Sequence, residues 1–151
     1  MKVVINKCFG GFGLSPLAIK EYAKLIGKEC YFFKGGLREP YTSIDLEEAT
    51  KEGLFNTAFS IPNPNEVLIR DEGGLNLTKE SDKLYSQISL WSRDIERTDL
   101  NLIKVIESLG SEKASGRFAK LKIVEIPDGV DYQIDEYDGL ETIHEKHREW
   151  G

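Results

Sequence analysis

Long apolar runs are absent from this sequence of 151 residues. A membrane helix needs roughly 20 consecutive apolar residues, and no stretch of the chain approaches that length. A secretory signal peptide is not recognisable either, because a single lysine precedes a short strand-like run without a cleavage site. The sequence therefore predicts a cytoplasmic protein without a membrane partner.

Basic residues are fewer than acidic residues in this chain. The chain carries 26 acidic and 20 basic residues, which gives a net charge of −6. General nucleic-acid binding favours a basic surface, because contacts to the phosphate backbone dominate the affinity. The charge balance argues against that function, but it is compatible with a small anionic ligand that a few local arginines hold.

The patterns of several enzyme and nucleotide-binding classes are missing. The sequence contains no G-x-G-x-x-G, G-x-x-x-x-G-K-[ST] or G-x-S-x-G. It has no C-x-x-C either. Cys8 and Cys30 border two predicted strands, become neighbours if those strands pair, and are expected to stay reduced. No catalytic residue, metal site or cofactor is therefore assigned, and binding without turnover is the simpler hypothesis.

Histidine is scarce, with His144 and His147 three residues apart in a predicted C-terminal helix. One face of a helix can present two metal ligands, but E-x-x-H-E-K-H differs from the H-E-x-x-H of zinc enzymes. A solvated, charge-paired helix competes with a metal site and with a general acid or base role for either histidine.

The beginning of the chain is its most informative part. The run 2–6 is short, β-branched and apolar, which predicts a buried strand. Three glycines follow within 8–13. Ser15 and Pro16 are typical of a helix N-cap and first helical position, and Gly27 is typical of the residue that follows a helix. Together these signals predict a strand, a glycine-rich turn and a helix.

The glycine-rich turn has two possible uses. The first N–H groups of a helix lack intrahelical partners, and glycines let an anion approach them. Gly10, Gly11 and the charge of Lys7 therefore predict a phosphate site. The alternative is a tight, packed turn that places Phe9 and Phe12 in the core.

The whole pattern predicts an α/β or α+β fold, with a mixed sheet, in a single domain over residues 1–151. The segment at about 37–90 predicts an irregular or β-rich insertion. The predicted elements are helices at 16–26, 99–109 and 140–149, strands at 2–6, 29–33 and 66–70, and a hairpin of strands at 119–126 and 130–136, with Thr98 as the N-cap of the second helix.

Residues in the second half of the chain complete the candidate site. Arg97 precedes the helix at 99–109 and can hold an anion with that helix end, unless it pairs with acidic neighbours on the surface. Tyr137 can stack on a base, and Asp138 can contact a ribose, although Asp138-Gly139 is also an ordinary turn. The acidic run 131–138 suits a cation or ribose, or a charged edge strand that resists aggregation.

Two stretches of the chain carry a resemblance. One is VVINKCFGGFGLSPLAI, and the other runs from IERTDLNLIKVIESLG through AKLKIVEIPDGVDYQIDEYDGLETIHEKHREW. They resemble a widespread family of small, mostly uncharacterised proteins encoded by tailed bacteriophages and prophages. The resemblance covers roughly residues 1–33 and 95–151 and contains no catalytic motif, and the segment at about 37–90 departs from the shorter members like an insertion.

Small phage proteins of this kind are similar in character to anti-defence sponges, which sequester nucleotide immune signals such as those of the Thoeris and CBASS systems. The resemblance implies a homo-oligomer that acts in an infected bacterial host and binds a nucleotide-like ligand without turning it over. The residues expected to contact phosphate, base or ribose are Lys7, Phe9, Gly10, Gly11, Phe12, Arg97, Tyr137 and Asp138.

Two other functions remain open at this point. One is a small hydrolase or transferase that acts on a nucleotide through His144 or His147. The other is a protein–protein inhibitor of a host factor, in which the insertion at about 37–90 makes the contacts.

Overall fold

A computed structural model describes residues 1–36, 39–52, 57–74, 76–90 and 92–146. Contacts group the chain into two compact units, of which unit 1 is Met1–Ala18 with Ser92–Gly151 and unit 2 is Ile19–Trp91. The described α-helices and strands in chain order are β1 (Lys2–Asn6), α1 (Pro16–Leu25), β2 (Tyr31–Gly35), β3 (Tyr41–Ile44), α2 (Leu46–Glu52), β4 (Thr57–Phe59), α3 (Pro64–Val67), α4 (Lys79–Ile88), α5 (Leu100–Leu109), α6 (Ser111–Ala114), β5 (Leu121–Glu125), β6 (Tyr132–Tyr137) and β7 (Leu140–Glu145).

The predicted mixture of helices and sheets is confirmed as an α+β arrangement. Among the described residues every strand ladder is antiparallel, so the sheets are not mixed in direction. In the same part of the chain, none of the helices combines the length and the apolar character needed to cross a bilayer.

Strand β1 is the centre of unit 1. Val3, Val4 and Ile5 are at most 2% exposed, as expected for a β-branched strand covered on both faces. Its antiparallel partner is β5, with Val3 opposite Val124 and Asn6 opposite Leu121. The predicted hairpin between 119–126 and 130–136 is therefore wrong, because β5 pairs with the first strand of the chain instead.

Local signals set the bounds of α1 as predicted. The Ser15 hydroxyl oxygen accepts a hydrogen bond from the Ala18 N–H at 3.1 Å, and Pro16 is the first helical residue. Gly27 follows the helix with a φ of +76°, a conformation that favours glycine. These contacts confirm the predicted helix to within one residue at its end.

Helix α5 confirms the prediction at 99–109 except for its cap. The carboxylate of Asp99, not the hydroxyl of Thr98, accepts hydrogen bonds from the N–H groups of Asn101 and Leu102 at 2.8 and 3.0 Å. A short carboxylate at this position also favours the helix dipole. The helix contacts β1, and its buried side chains are Leu102, Ile103, Val105 and Ile106.

The predicted terminal helix is wrong over 140–145, where the chain forms β7. Strands β6 and β7 make an antiparallel hairpin in which Ile134 lies opposite Ile143. Asp138 and Gly139 connect them with φ values of +51° and +90°, the two positive values that a type I′ hairpin turn requires. This turn matches the twist of the strands, whereas a helix would leave Ile143 without its cross-strand partner. The end of the predicted helix lies outside the described residues.

Unit 2 has its own sheet and core. Strand β2 lies between β3 and β4, antiparallel to both. The predicted strand at 66–70 is wrong, because Pro64 begins the short helix α3 there. Since β1 and β2 pair with other strands, Cys8 and Cys30 do not become neighbours in that way, and both are unpaired thiols. The buried core of unit 2 contains Phe32, Phe33, Ile44, Ala49, Ala58, Phe59, Leu68 and Ile88.

Candidate ligand-binding site

The glycine-rich turn of unit 1 packs closely against two other segments, the loop that contains Phe118 and the β6–β7 turn. Gly10 lies so close to the backbone of Phe118 that a Cβ atom at this position would overlap it. Gly139, in the β6–β7 turn, would bring a Cβ atom to 2.6 Å from the Phe9 carbonyl oxygen. Gly11 has a φ of +90° and presents open space at its Cβ position. Only glycine permits the close backbone approaches at Gly10 and Gly139.

The side chain of Asn6 holds the glycine-rich turn in place through hydrogen bonds to the backbone. Its side chain is fully buried, and its Nδ2 donates to the carbonyl oxygens of Cys8 and Gly139, both at 2.7 Å. Its Oδ1 accepts from the N–H of Cys8 at 3.2 Å and from the N–H of Lys120 at 2.9 Å. One amide thus joins the ends of β1, β5 and the β6–β7 turn, with all four of its hydrogen-bonding positions satisfied.

Arg97 has a different partner from the acidic neighbours that the sequence suggested. Its Nη1 and Nη2 donate to Oε1 and Oε2 of Glu141 at 2.5 and 2.8 Å, the bidentate geometry typical of arginine and a carboxylate. Its guanidinium also lies 3.6 Å from the centre of the Phe12 ring, within the range of a cation–π contact. Glu141 Oε1 receives a further hydrogen bond, from the Asn6 N–H at 2.7 Å. The charge of Arg97 is therefore balanced inside unit 1.

The other predicted site residues lie around the glycine-rich turn. The Lys7 side chain extends to the Glu141 carbonyl oxygen at 3.3 Å. Phe12 is half-buried beneath Arg97, whereas Phe9 is 60% exposed and Tyr137 is 78% exposed. Asp138 is exposed at the tip of the β6–β7 turn. The turn thus shares features of both alternatives, since its backbone is packed while two of its aromatic neighbours remain open to solvent.

A third exposed ring belongs to the same region. Phe118 is 49% exposed, and its backbone abuts Gly10. Arg117 lies beside this ring, with its guanidinium carbon 5.5 Å from the ring centre. We name Phe9, Phe118 and Tyr137 the aromatic platform. Phe9 and Phe118 lie in loops and Tyr137 is the last residue of β6, and the backbones of these segments approach one another at the glycine contacts. Sequence reasoning identified Phe9 and Tyr137.

A row of lysines continues from this platform. Lys7, Lys120 and Lys122 line a cleft of about 660 Å³ between the β1–β5 ladder and the junction of α5 with α6. Within the described ranges none of them forms an ion pair. We name this feature the lysine cleft. The spacing of Lys120 and Lys122 in an alternating strand was the available signal for it, but only the pairing of β5 with β1 adds Lys7.

Glu107 also lines the lysine cleft, but its carboxylate forms an ion pair with a residue outside the cleft. Its Oε1 lies 2.9 Å from the Lys2 Nζ. The hydrogen bond to Glu107 and then its negative charge raise the pKa of Lys2 above its ordinary value. Lys2 does not line the cleft, so Glu107 forms its ion pair outside the lysine row.

The residues considered for metal binding or acid–base chemistry lie elsewhere. His144 is on β7 and not on a helix, and its Nε2 is 3.2 Å from Asp135 Oδ2 and 3.0 Å from the Thr142 hydroxyl. In the described ranges no group of three or more His, Cys, Asp or Glu side chains is arranged to hold a metal ion. His147 lies outside those ranges.

Sequence reasoning missed Asn6, Glu141, Lys120 and Lys122. Asn6 had one signal, because a polar residue at the end of an apolar strand often turns back to bind the backbone. Glu141 had none, since its partner Arg97 is distant in the sequence. Comparisons of the chain with protein-family models, with curated proteins and with solved structures found no match.

Proposed function

We propose that this protein is a non-enzymatic binding protein that sequesters a small anionic, nucleotide-like molecule. The aromatic platform carries the proposal. The side chains of Phe9, Phe118 and Tyr137 are 49–78% exposed, and they belong to segments whose backbones pack together at the glycine-rich turn. Exposed rings are costly for a fold, because a buried ring contributes strongly to hydrophobic stabilisation. Exposed aromatic rings beside cations suit a ligand with a flat base and a negative charge.

The rigidity of the turn supports binding. The Asn6 amide and the glycine contacts hold together the chain segments that carry Phe9, Phe118 and Tyr137. A ligand that stacks on the platform then loses little free energy to ordering of the protein. The predicted contacts of Lys7 and Asp138 with phosphate and ribose belong to this proposal.

The biological setting is part of the proposal and rests on the resemblance of the two terminal stretches to phage proteins. A phage-encoded sponge in the cytoplasm of an infected bacterium would bind a nucleotide-derived immune signal and remove it from solution. Such sponges are commonly homo-oligomers, so we propose a homo-oligomer here as well.

Calorimetric titration with cyclic mono-, di- and trinucleotides and with ADP-ribose derivatives tests the proposal. We expect at least one of them to bind, and Tyr137→Ala or Phe9→Ala to weaken that binding about tenfold, as loss of a base-stacking ring does. Leu100→Ala is the matched control, because Leu100 is an apolar side chain of unit 1 that is 82% exposed and lies outside the platform.

Recovery of the ligand separates binding from turnover. A sponge releases the intact molecule after denaturation, whereas an enzyme that uses His144 releases a product and loses that activity on His144→Ala. If no compound of this set shifts the calorimetric baseline of the wild-type protein, the proposed function is wrong.

A further inference from the structure

The three lysines of the lysine cleft share one face of the β1–β5 ladder. Lys7 and Lys120 are opposite each other at the end of the β1–β5 pairing, where the Lys7 N–H donates to the Lys120 carbonyl oxygen at 2.7 Å. Lys122 lies two residues further along β5, opposite Ile5. Alternate residues of a strand and residues directly opposite each other share a face. The three side chains therefore start from the same face of the ladder.

Repulsion between Lys7 and Lys120 disfavours this arrangement, although the Lys7 ammonium donates a hydrogen bond to the Glu141 carbonyl oxygen at 3.3 Å. Directly opposite side chains have Cβ atoms about 5 Å apart, and like charges at that separation destabilise a sheet. Carboxylates are plentiful in a chain of net charge −6, yet within the described ranges none pairs with these lysines. The carboxylate that does line the cleft, Glu107, is bound by Lys2 at 2.9 Å.

We propose that the lysine cleft binds the phosphate groups of a ligand that carries at least two phosphates. A single phosphate group has a charge of about −1.5 to −2 near pH 7 and matches at most two ammonium groups. Three lysines in one cleft match a diphosphate, a triphosphate or a cyclic oligonucleotide. The site is distinct from Arg97, which Glu141 neutralises.

This inference rests on the proposed function, since it assigns the phosphate end of the same ligand. Phe9 follows Lys7 by two residues, and Phe118 precedes Lys120 by two. Each pair of Cα atoms is therefore at most about 7 Å apart. A ligand with its phosphates in the lysine cleft can place its base on the aromatic platform.

Titration with inorganic tripolyphosphate and with orthophosphate at low salt tests the cleft directly. We expect tripolyphosphate to bind at least about tenfold more tightly than orthophosphate, because it engages more of the lysines. The double variant Lys120→Gln/Lys122→Gln should weaken tripolyphosphate binding at least about tenfold.

The control is Lys104→Gln/Lys146→Gln, which removes the same two charges from exposed positions of unit 1 outside the cleft. It should leave binding within about twofold of the wild type, apart from long-range charge effects that salt screens. Circular dichroism and urea unfolding establish that both double variants are folded. Equal losses in the two double variants, or none in the cleft variant, would overturn the inference.

The two proposals fail in different ways. A nucleotide that binds the wild type and the cleft variant equally well supports the proposed function and overturns the cleft assignment. Cleft-dependent binding of tripolyphosphate, without binding of any nucleotide, upholds the cleft and contradicts the proposed function.

Discussion

The guanidinium of Arg97 holds the carboxylate of Glu141 in a bidentate pair that joins the segment before α5 to the last strand of unit 1. The Glu141 side chain is 6% exposed and that of Arg97 is 21% exposed. Water therefore screens this pair much less than a surface pair, and loss of one partner leaves a buried charge without compensation.

Glu141→Gln should lower the free energy of unfolding by about 3 kcal/mol, the usual loss when one partner of a buried pair is removed. Chemical denaturation measures the change. Glu145→Gln is the control, because Glu145 is an exposed residue of the same strand. Equal stability of the two variants would mean that the pair contributes little.

Gly139→Ala should be strongly destabilising, since its φ of +90° disfavours a side chain and its Cβ would overlap the turn at Gly11. The unfavourable backbone conformation alone costs about 1–2 kcal/mol, and overlap adds about 1–3 kcal/mol. Comparison with Gly129→Ala separates the cost of the backbone conformation from the cost of the overlap. Gly129 has a φ of +79° but nothing within 4 Å of its Cβ position, so thermal unfolding should show the smaller loss there.

Lys120→Gln should stabilise the ligand-free protein at low salt, by about 0.2–1 kcal/mol, because it relieves the repulsion between Lys120 and Lys7, which lies directly opposite. The gain should disappear near 1 M salt, where the screening length falls to about 3 Å. Unfolding midpoints measured across a salt series give the comparison. Lys104→Gln should show no such salt-dependent gain, and a matching gain in that variant would contradict local repulsion.

Cys30 should react slowly with alkylating agents at neutral pH. Burial raises the pKa of its thiol to about 11, although the charge of Lys20 acts in the opposite direction. The thiolate is the reactive form. In a Cys8→Ser background, the rate of iodoacetamide labelling should rise with pH toward about 11 in the folded protein.

The same raised pKa predicts that Cys30 contributes stability below about pH 9, its ordinary value, and loses that contribution as pH rises toward about 11. Urea-unfolded protein provides the reference for the labelling measurement. Its labelling rate should reach half of its maximum near the ordinary pKa of a thiol, about 9. Identical pH profiles for the folded and unfolded protein would contradict burial of the thiol.

Elements with strong local signals were predictable from the sequence. Ser15, Pro16 and Gly27 determine the ends of α1 through contacts within a few residues. The apolar stripe of α5 has the same local character. Thr98 and Asp99 are both good capping residues, so the correct cap depended on which backbone conformation the preceding chain adopts.

The β6–β7 hairpin was not predicted, although its signal was present. Asp-Gly between alternating residues is a strong indication of a two-residue hairpin turn, but the spacing of Leu140 and Ile143 also fits a helix. Pairing of Ile134 with Ile143 decides between them. Similarly, the Arg97–Glu141 pair and the lysine cleft depend on contacts between distant parts of the chain, which local patterns do not encode.

The pairing of β1 with β5 has a consequence for synthesis of the protein. Strand β1 leaves the ribosome well before β5, because all of unit 2 and α5 lie between them in the chain. Unit 2 is contiguous in the chain and can fold during this interval. Meanwhile the apolar run Val3–Ile5 lacks its partner, and incompletely folded chains with exposed apolar surface and unpaired strands are prone to aggregate. We therefore expect β1 to depend on chaperone protection in the nascent chain until β5 emerges.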